Sequence, residues 1–291
     1  MIKSMTGYGL AVNDFAQAKY TVEIKSLNSK FLDLSLKFPK AFSDKEFMLR
    51  NECSKQIERG KVHISISVEY AESTSKAASI NQDLLKTYYK QLKAVADELG
   101  DNATNLLSLS LNFPDVIQYE ADGVSEDEWK MLHKTFEEAL KNFQNFRADE
   151  GNVLKEDLVF RIQNILDGMA KVAELEPNRI PMIRERLNHF LEENVGKENI
   201  DHNRFEQELI YYIDKLDITE EKIRLKSHCD YFIDALKDKD ANGKKLGFIS
   251  QEIGREINTM GSKANDAKMQ QTVVGMKEEL EKIKEQLLNV L

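Results

Sequence analysis

The chain has 291 residues, 41% of them apolar and 31% charged, with only four prolines and thirteen glycines; this excludes a disordered or fibrous protein and leaves room for long helices. Its formal charge is −9, from 41 basic and 50 acidic side chains, which argues against diffuse attraction to polyanions but leaves room for a local basic groove, because phosphate binding follows the local field. Cys53 and Cys229 are far apart, MIKSMTGYG lacks a signal-like apolar run, and no stretch resembles a membrane span, so the expectation is a soluble, cytoplasmic protein with reduced thiols.

The first seventy or so residues read as strands. Tyr20, Val22 and Ile24 alternate with Thr21, Glu23 and Lys25. Phe31, Leu32, Leu34, Leu36 and Phe38 form a second run that stops at Pro39. Val62, Ile64, Ile66 and Val68 alternate with His63, Ser65, Ser67 and Glu69. Period two predicts sheets with one buried and one wet face. Between the second and third runs, Ser43-Asp44-Lys45-Glu46 resembles a capping box and predicts a helix to about Glu58, with Gly60 as its stop. Strand, strand, helix, strand implies an antiparallel sheet carrying a helix.

Beyond residue 80 the pattern becomes helical. A helix is predicted over Asn81–Leu99, then a loop or short element over Asn112–Gly123. Ser125 caps a further helix, and its acidic first turn (Glu126, Asp127, Glu128) suits the helix dipole. That helix runs through Phe146, Leu154, Leu158 and Ile165 until Pro177 and Pro181 break it near residue 176. More helices are expected at 180–194, 203–214, 217–237, 246–260 and 265–290. In the last, Met276, Leu280, Ile283 and Leu287 form a seam, within the chain or between subunits. The fold class expected is α+β: an N-terminal antiparallel sheet with helices, a long helical arm, and an all-helical C-terminal module. The domain bounds expected are 1–150, 151–200 and 201–291.

No Walker loop, dinucleotide-binding glycine fingerprint, GxSxG or HExxH is present, so the chemistry is sought in polar constellations. Asp217, Glu221, Arg224 and His228 are spaced by four, three and four, which predicts one helical face opposite an apolar stripe of Ile218, Leu225 and Tyr231, with Ile223 nearby. On pattern alone that face reads first as a solvated row of weak ion pairs. Residues 246–266, LGFISQEIGREINTMGSKAND, carry an apolar stripe of Leu246, Ile249, Ile253, Ile257 and Met260. Beside it run two polar faces: Glu252, Glu256, Thr259 and Lys263, and Gln251, Arg255, Asn258, Ser262 and Asn265. Gln, Asn, Thr, Ser and two glycines are unusual on an ordinary exposed helix and suggest side chains used for hydrogen bonding, at a ligand or at a subunit contact.

Glu252 and Glu256, at i and i+4, can hold a hard divalent cation through oxygen, and a histidine on a neighbouring helix can complete the site or act as acid or base. Lys244, Lys245, Arg255 and Lys263 lie close enough in sequence to position phosphates. The competing arrangement pairs Glu252 with Arg255 and Glu256 with Lys263. His63, His133, His189 and His202 read as surface or capping residues. Trp129 and the phenylalanines have core spacing and do not resemble the aromatic ladder of a single-strand binder.

Several of these segments resemble the YicC-like endoribonuclease family: MIKSMTGYG, SLNSKFLDL (Ser26–Leu34), RGKV (Arg59–Val62), RADEGNVLKEDL (Arg147–Leu158), LDITEEKIRLKSH (Leu216–His228), SHCDYF, and GKKLGFISQEIGREINTMGSKANDA (Gly243–Ala267). The motifs fall in order and span nearly the whole chain. The resemblance implies RNA cleavage that depends on a divalent metal, Mn2+ or Mg2+, and a hexamer enclosing RNA. It matches the family's polar signature at His228, Gln251, Glu252, Arg255, Glu256, Asn258, Gly261, Ser262, Lys263 and Asp266, and also at Asp217, Glu221 and Arg224. The family usually has Asp where this chain has Gly247 and often Asn where it has Gly254.

The expectation is therefore an endoribonuclease hydrolysing RNA phosphodiester bonds inside an oligomeric cage. Glu252, Glu256 and His228 hold the metal, His228 being a ligand or general base, and Arg224, Lys244, Lys245, Arg255 and Lys263 bind RNA. The alternative is a non-catalytic adaptor that presents RNA to other decay nucleases, which Gly247 keeps open. A third reading is an assembly protein without nucleic acid.

Overall fold

A computed structural model describes residues 2–70, 79–100, 104–118, 124–238 and 243–291. Strands β1 (Gly7–Phe15), β2 (Ala18–Leu27), β3 (Leu32–Lys37) and β4 (Gly60–Tyr70) form one sheet in the order β1-β2-β4-β3. The β1–β2 and β2–β4 pairs are antiparallel, whereas β3 lies parallel to β4. The sheet is thus mixed, not wholly antiparallel as expected. A parallel neighbour needs a long crossover, and here a 3-10 turn (Lys40–Lys45) and α1 (Glu46–Gln56) supply it. Ser43 does not cap α1: its hydroxyl donates to the Lys40 carbonyl at 2.6 Å, inside the turn that follows Pro39. Nor does Gly60 stop α1, which ends at Gln56; it opens β4 with φ of 127°, a conformation that favours glycine.

β1 went unread in the sequence for a physical reason. Its inward positions are Gly7, Gly9 and Ala11, and its outward ones are the larger Tyr8, Leu10 and Val12, the reverse of an ordinary half-buried strand. The small residues let a helix lie directly on the sheet. A Cβ at Gly9 would stand 2.2 Å from the Ala139 carbonyl oxygen, and one at Gly7 would stand 2.4 Å from the Phe143 ring.

Helix α2 (Gln82–Leu99) is capped by the Asn81 side chain, and α3 (Leu106–Leu111) follows it. A two-residue strand β5 (Ser79–Ile80) pairs with β6 (Ile117–Gln118). The loop expected over 112–123 therefore includes a short strand, and its positions 119–123 lie outside the described residues. Helix α4 (Glu126–Leu175) is 50 residues long and starts with a full capping box between Ser125 and Glu128, as its acidic start suggested. A 3-10 turn (Glu176–Asn178) carrying Pro177 joins it to α5 (Arg179–Val195). Then come α6 (His202–Leu216), α7 (Thr219–Lys237), α8 (Gly243–Lys263) and α9 (Ala267–Leu287).

Helix α4 belongs to two cores. Its first half puts Leu132, Phe136, Ala139, Leu140 and Phe143 against Tyr20, Val22, Ile24, Val62 and Ile64 of the sheet. Its second half puts Leu158, Ile162, Ile165 and Val172 against α7, α8 and α9. The seam of Met276, Leu280, Ile283 and Leu287 is buried in this second core, so it is a packing stripe within the chain. A small third core joins Ile183 of α5 to Phe205 and Leu209 of α6.

Both chain ends meet α4 where it passes from one core to the other. The Ser4 amide donates to the Arg147 carbonyl at 2.9 Å, and Arg147 Nε donates back to the Ser4 carbonyl at 2.7 Å. Met5 N bonds the Asn289 carbonyl at 2.8 Å and Leu291 N bonds the Lys3 carbonyl at 3.0 Å. Arg59 Nη2 donates to the Val290 carbonyl at 2.7 Å, and Asn28 Nδ2 to the Leu288 carbonyl at 2.8 Å. Burial lowers the Arg147 guanidinium to about 10, which leaves it charged at neutral pH. At Gly151, a Cβ would stand 2.1 Å from the Ile2 carbonyl oxygen.

Two outcomes follow from this packing. Gly151→Ala should destabilise the protein by about 3 kcal/mol in denaturant unfolding, because backbone occupies the space; Gly247→Ala, which would meet nothing within 4 Å, should instead add about 0.5–1 kcal/mol as a helical glycine replacement. Burial pushes the Cys53 and Cys229 thiols up to about 12 each, so neither should react with a disulfide reagent at pH 8 in the folded protein, and both should react in guanidinium.

Candidate functional site

Helices α7 and α8 run antiparallel, and ion pairs fix their register. Near the start of α7, Lys263 Nζ donates to Glu221 Oε1 and to the Asp217 carbonyl, each at 2.8 Å. Near its end, Lys245 Nζ donates to the Asp238 carboxylate at 3.2 Å and stands 5.3 Å from the Tyr231 ring centre. His228 and Glu256 each lie seven residues inward from the Glu221–Lys263 pair. Seven residues are two turns and return a side chain to nearly the same face. The face that joins Glu221 to Lys263 therefore carries His228 level with Glu256, and Glu252 follows one turn along.

The burial of α7 differs from the expected pattern. Glu221, Leu225, Cys229 and Phe232 form its buried stripe, while Tyr231 and Ile223 are exposed. Glu221 thus faces inward with the apolar residues rather than lying on a solvated face. Its Oε2 is buried and has no hydrogen-bond partner. Arg224 points outward and pairs with Glu220. Thr219 donates its hydroxyl (2.7 Å) and its amide (2.9 Å) to Asp217 Oδ1, and these bonds, the hydroxyl's first, hold the Asp217 carboxyl below its ordinary range.

On α8 the stripe of Leu246, Ile249, Ile253, Ile257 and Met260 is buried as expected. Of the two anticipated ion pairs, Glu252 and Arg255 do pair, Nη1 to Oε1 at 2.8 Å. Glu256 and Lys263 do not, because the Lys263 ammonium reaches across to α7. Glu256 is 9% exposed and, like His228, makes no hydrogen bond or ion pair with any described residue. The glycines of α8 have a packing role: a Cβ at Gly254 would stand 3.1 Å from Leu280, and one at Gly261 would stand 3.2 Å from Val273. They let α9 approach closely.

The outer face of α8 carries Phe248 (71% exposed), Gln251, Arg255 (its side chain 72% exposed), Asn258 and Ser262. Lys244 is exposed at the start of the same helix. Exposed aromatic, amide and guanidinium groups in one row suit a ligand that offers flat rings and anionic oxygens. Arg179, which the sequence reading passed over, fastens this region. Its guanidinium donates to the Lys263 carbonyl (2.5 Å), Asn265 Oδ1 (3.1 Å) and the Leu216 carbonyl (3.2 Å). Burial lowers its pKa.

Glu252, Glu256 and His228 do not stand within mutual ligand distance as they lie. Among the described residues, the triad of Glu52, His133 and Glu137 alone brings three such side chains together, with ligand atoms within 4.8 Å of one another. His133, expected as a surface or capping residue, is instead held between two carboxylates. Its sequence signal was the i, i+4 spacing to Glu137; Glu52 comes from α1 and only the tertiary fold supplies it.

Lys263→Met should cost about 2–3 kcal/mol in denaturant unfolding, because it leaves the buried Glu221 carboxylate without its cation. Gln251→Ala, on the exposed row, should stay within about 0.5 kcal/mol of the parent.

Two family models match the chain: "Endoribonuclease YicC-like, N-terminal region" over residues 2–156, and "Endoribonuclease YicC-like, C-terminal" over residues 172–291. The probable endoribonuclease YicC of Clostridioides difficile (strain 630) is 31% identical over 293 residues, covering 100% of both chains. The protein of the same name from Haemophilus influenzae (strain ATCC 51907 / DSM 11121 / KW20 / Rd) is 30% identical over 295 residues, again covering 100% of both.

Proposed function

The chain belongs to the YicC-like endoribonuclease family, and from that premise we propose that it cleaves RNA phosphodiester bonds at the α7–α8 face with a divalent cation, Mn2+ or Mg2+. Glu256 carries this reading. Its residue is 9% exposed, and its carboxylate oxygens open to solvent at the edge of the core with no partner among the described residues, level with a histidine that has none either. A carboxylate with open lone pairs beside an imidazole can accept a cation. Two carboxylates and one imidazole nitrogen suit a divalent ion, so Glu252, Glu256 and His228 are the residues that would hold it. When bound, the cation supplies an activated water and neutralises charge on the phosphate.

The chain's own groups then divide the remaining work. Turning Glu252 from Arg255 towards the cation releases the Arg255 guanidinium for a phosphate oxygen. Arg224, Lys244, Lys245 and Lys263 add positive charge along the same two helices, and His228 is placed to take a proton if it is not a ligand. Phosphate contacts of this kind make binding fall with added salt. A net charge of −9 is compatible with RNA if the basic groups face the interior of an oligomeric cage, which we read as a hexamer. A cytoplasmic setting suits two reduced, buried thiols and the lack, among the described residues, of any helix long and apolar enough to cross a membrane.

A second reading rests on Gly247. The space beside it is open, so packing does not demand a glycine there, and the carboxylate usual at this place in the family is missing. That favours an adaptor that holds RNA for another nuclease.

End-labelled mixed-sequence RNA separates the two. The purified protein should cut with Mn2+ and stop with EDTA. The Glu252→Gln/Glu256→Gln variant should retain its helical circular dichroism and lose roughly a hundredfold or more in rate, the scale of removing a charge-stabilising group. Undiminished turnover in that variant removes the site, whereas RNA retention without cutting by the parent protein, with Mn2+ present, selects the adaptor.

A further inference from the structure

We propose that Glu52, His133 and Glu137 form a second cation site, separate from the α7–α8 face and suited to a transition-metal ion of the Zn2+, Co2+ or Ni2+ class. Glu52 comes from α1, and His133 and Glu137 from successive turns of α4. His133 Nε2 stands 3.0 Å from Glu52 Oε2, and Nδ1 stands 3.8 Å from Glu137 Oε1. A neutral imidazole has a single N–H and satisfies only one of these carboxylates; the other nitrogen then turns a lone pair towards an anion. No lysine or arginine among the described residues pairs with Glu52 or Glu137. Lys45 lies over the Trp129 ring at 5.9 Å and pairs with Asp44 at 3.0 Å. Two carboxylates thus flank one ring with no lysine or arginine of the described residues within ion-pair distance.

The donors and their setting decide the class of ion. One imidazole nitrogen and two carboxylate oxygens are ligands for a borderline ion at about 2.0–2.2 Å, with a remaining position for water. Such a set binds first-row transition ions more tightly than Mg2+. The imidazole is held by Trp129 at 5.6 Å and Phe136 at 6.4 Å. The side chains of Glu52 and His133 are recessed at 24% exposure each, while that of Glu137, at 58%, reaches solvent. The site is therefore partly prearranged and open to entry from one side. An ion there ties α1 to α4 with metal-ligand bonds where the two helices otherwise share apolar packing and the hydrogen bond from Gln144 to the Gln56 carbonyl, and this stabilises the N-terminal core through mass action.

Trp129 is the chain's only tryptophan and lies beside His133, so it reports on the site directly. Full-length protein stripped with EDTA and dialysed is titrated with Co2+ while Trp129 fluorescence is followed. Saturable quenching of Trp129 is expected, and Zn2+ should compete. In the Glu252→Gln/Glu256→Gln background, which removes the ligands of the α7–α8 face, the quenching should be unchanged and Zn2+ should still raise the melting temperature. Glu137→Gln, at an exposed position that leaves the fold intact, should weaken the quenching at least tenfold and, added to that background, abolish the rise. Quenching that stays linear to about 1 mM Co2+, a parental titration in Glu137→Gln, or loss of the response in the Glu252/Glu256 variant would each overturn the proposal. Because the readout is fluorescence and melting, it is decided independently of whether the protein cuts RNA.

Discussion

The whole arrangement depends on α4 being one helix with two cores. Its first half completes the sheet's apolar face and its second half completes the α7–α8–α9 bundle. Neither core is closed without it. Where it crosses from one to the other, the chain's first and last residues are bonded to it and to each other through Ser4, Arg147, Lys3, Leu291, Met5 and Asn289. The buried Arg147 guanidinium keeps Nη2 without a partner, a cost the joint sustains through Ser4 and the stacked Phe143 ring, 5.2 Å away. An axle of this kind fixes the position of α7 and α8 relative to the sheet.

The joint also explains several of the motifs that carry the family resemblance. The glycines of MTGYG let α4 lie on β1; Asn28 and Arg59 bind the carboxyl-terminal backbone; RADEG supplies the arginine that grips Ser4 and the glycine that makes room for Ile2. These residues hold the cores together.

Much of the architecture was legible because its signals are local. Alternation marked β2, β3 and β4; Ser125 and its acidic first turn marked the start of α4; Pro177 marked its end; the apolar stripes of α8 and α9 faced the core. What failed to show depended on partners distant in sequence. β1 hides its strand character because α4 demands small residues on its inner face. The parallel placement of β3 depends on how the α1 crossover returns, and no alternation records that. In the candidate site, the outward row of α8 and the Glu252–Arg255 pair could be read from spacing. The Glu221–Lys263 bridge, the clamp by Arg179 and the isolation of Glu256 could not, because each joins residues 37 or more positions apart or depends on a partner's absence.

Locating the RNA on the protein tests the account most directly. RNA carrying 4-thiouridine, photocrosslinked to the full-length protein in EDTA so that it is held but not cut, can be mapped by peptide mass spectrometry. Crosslinks are expected in residues 219–263, with Phe248 and its neighbours on α8 among them, and they should be lost as salt is raised. Crosslinks confined to the sheet and α1, with α7 and α8 unlabelled, would contradict it.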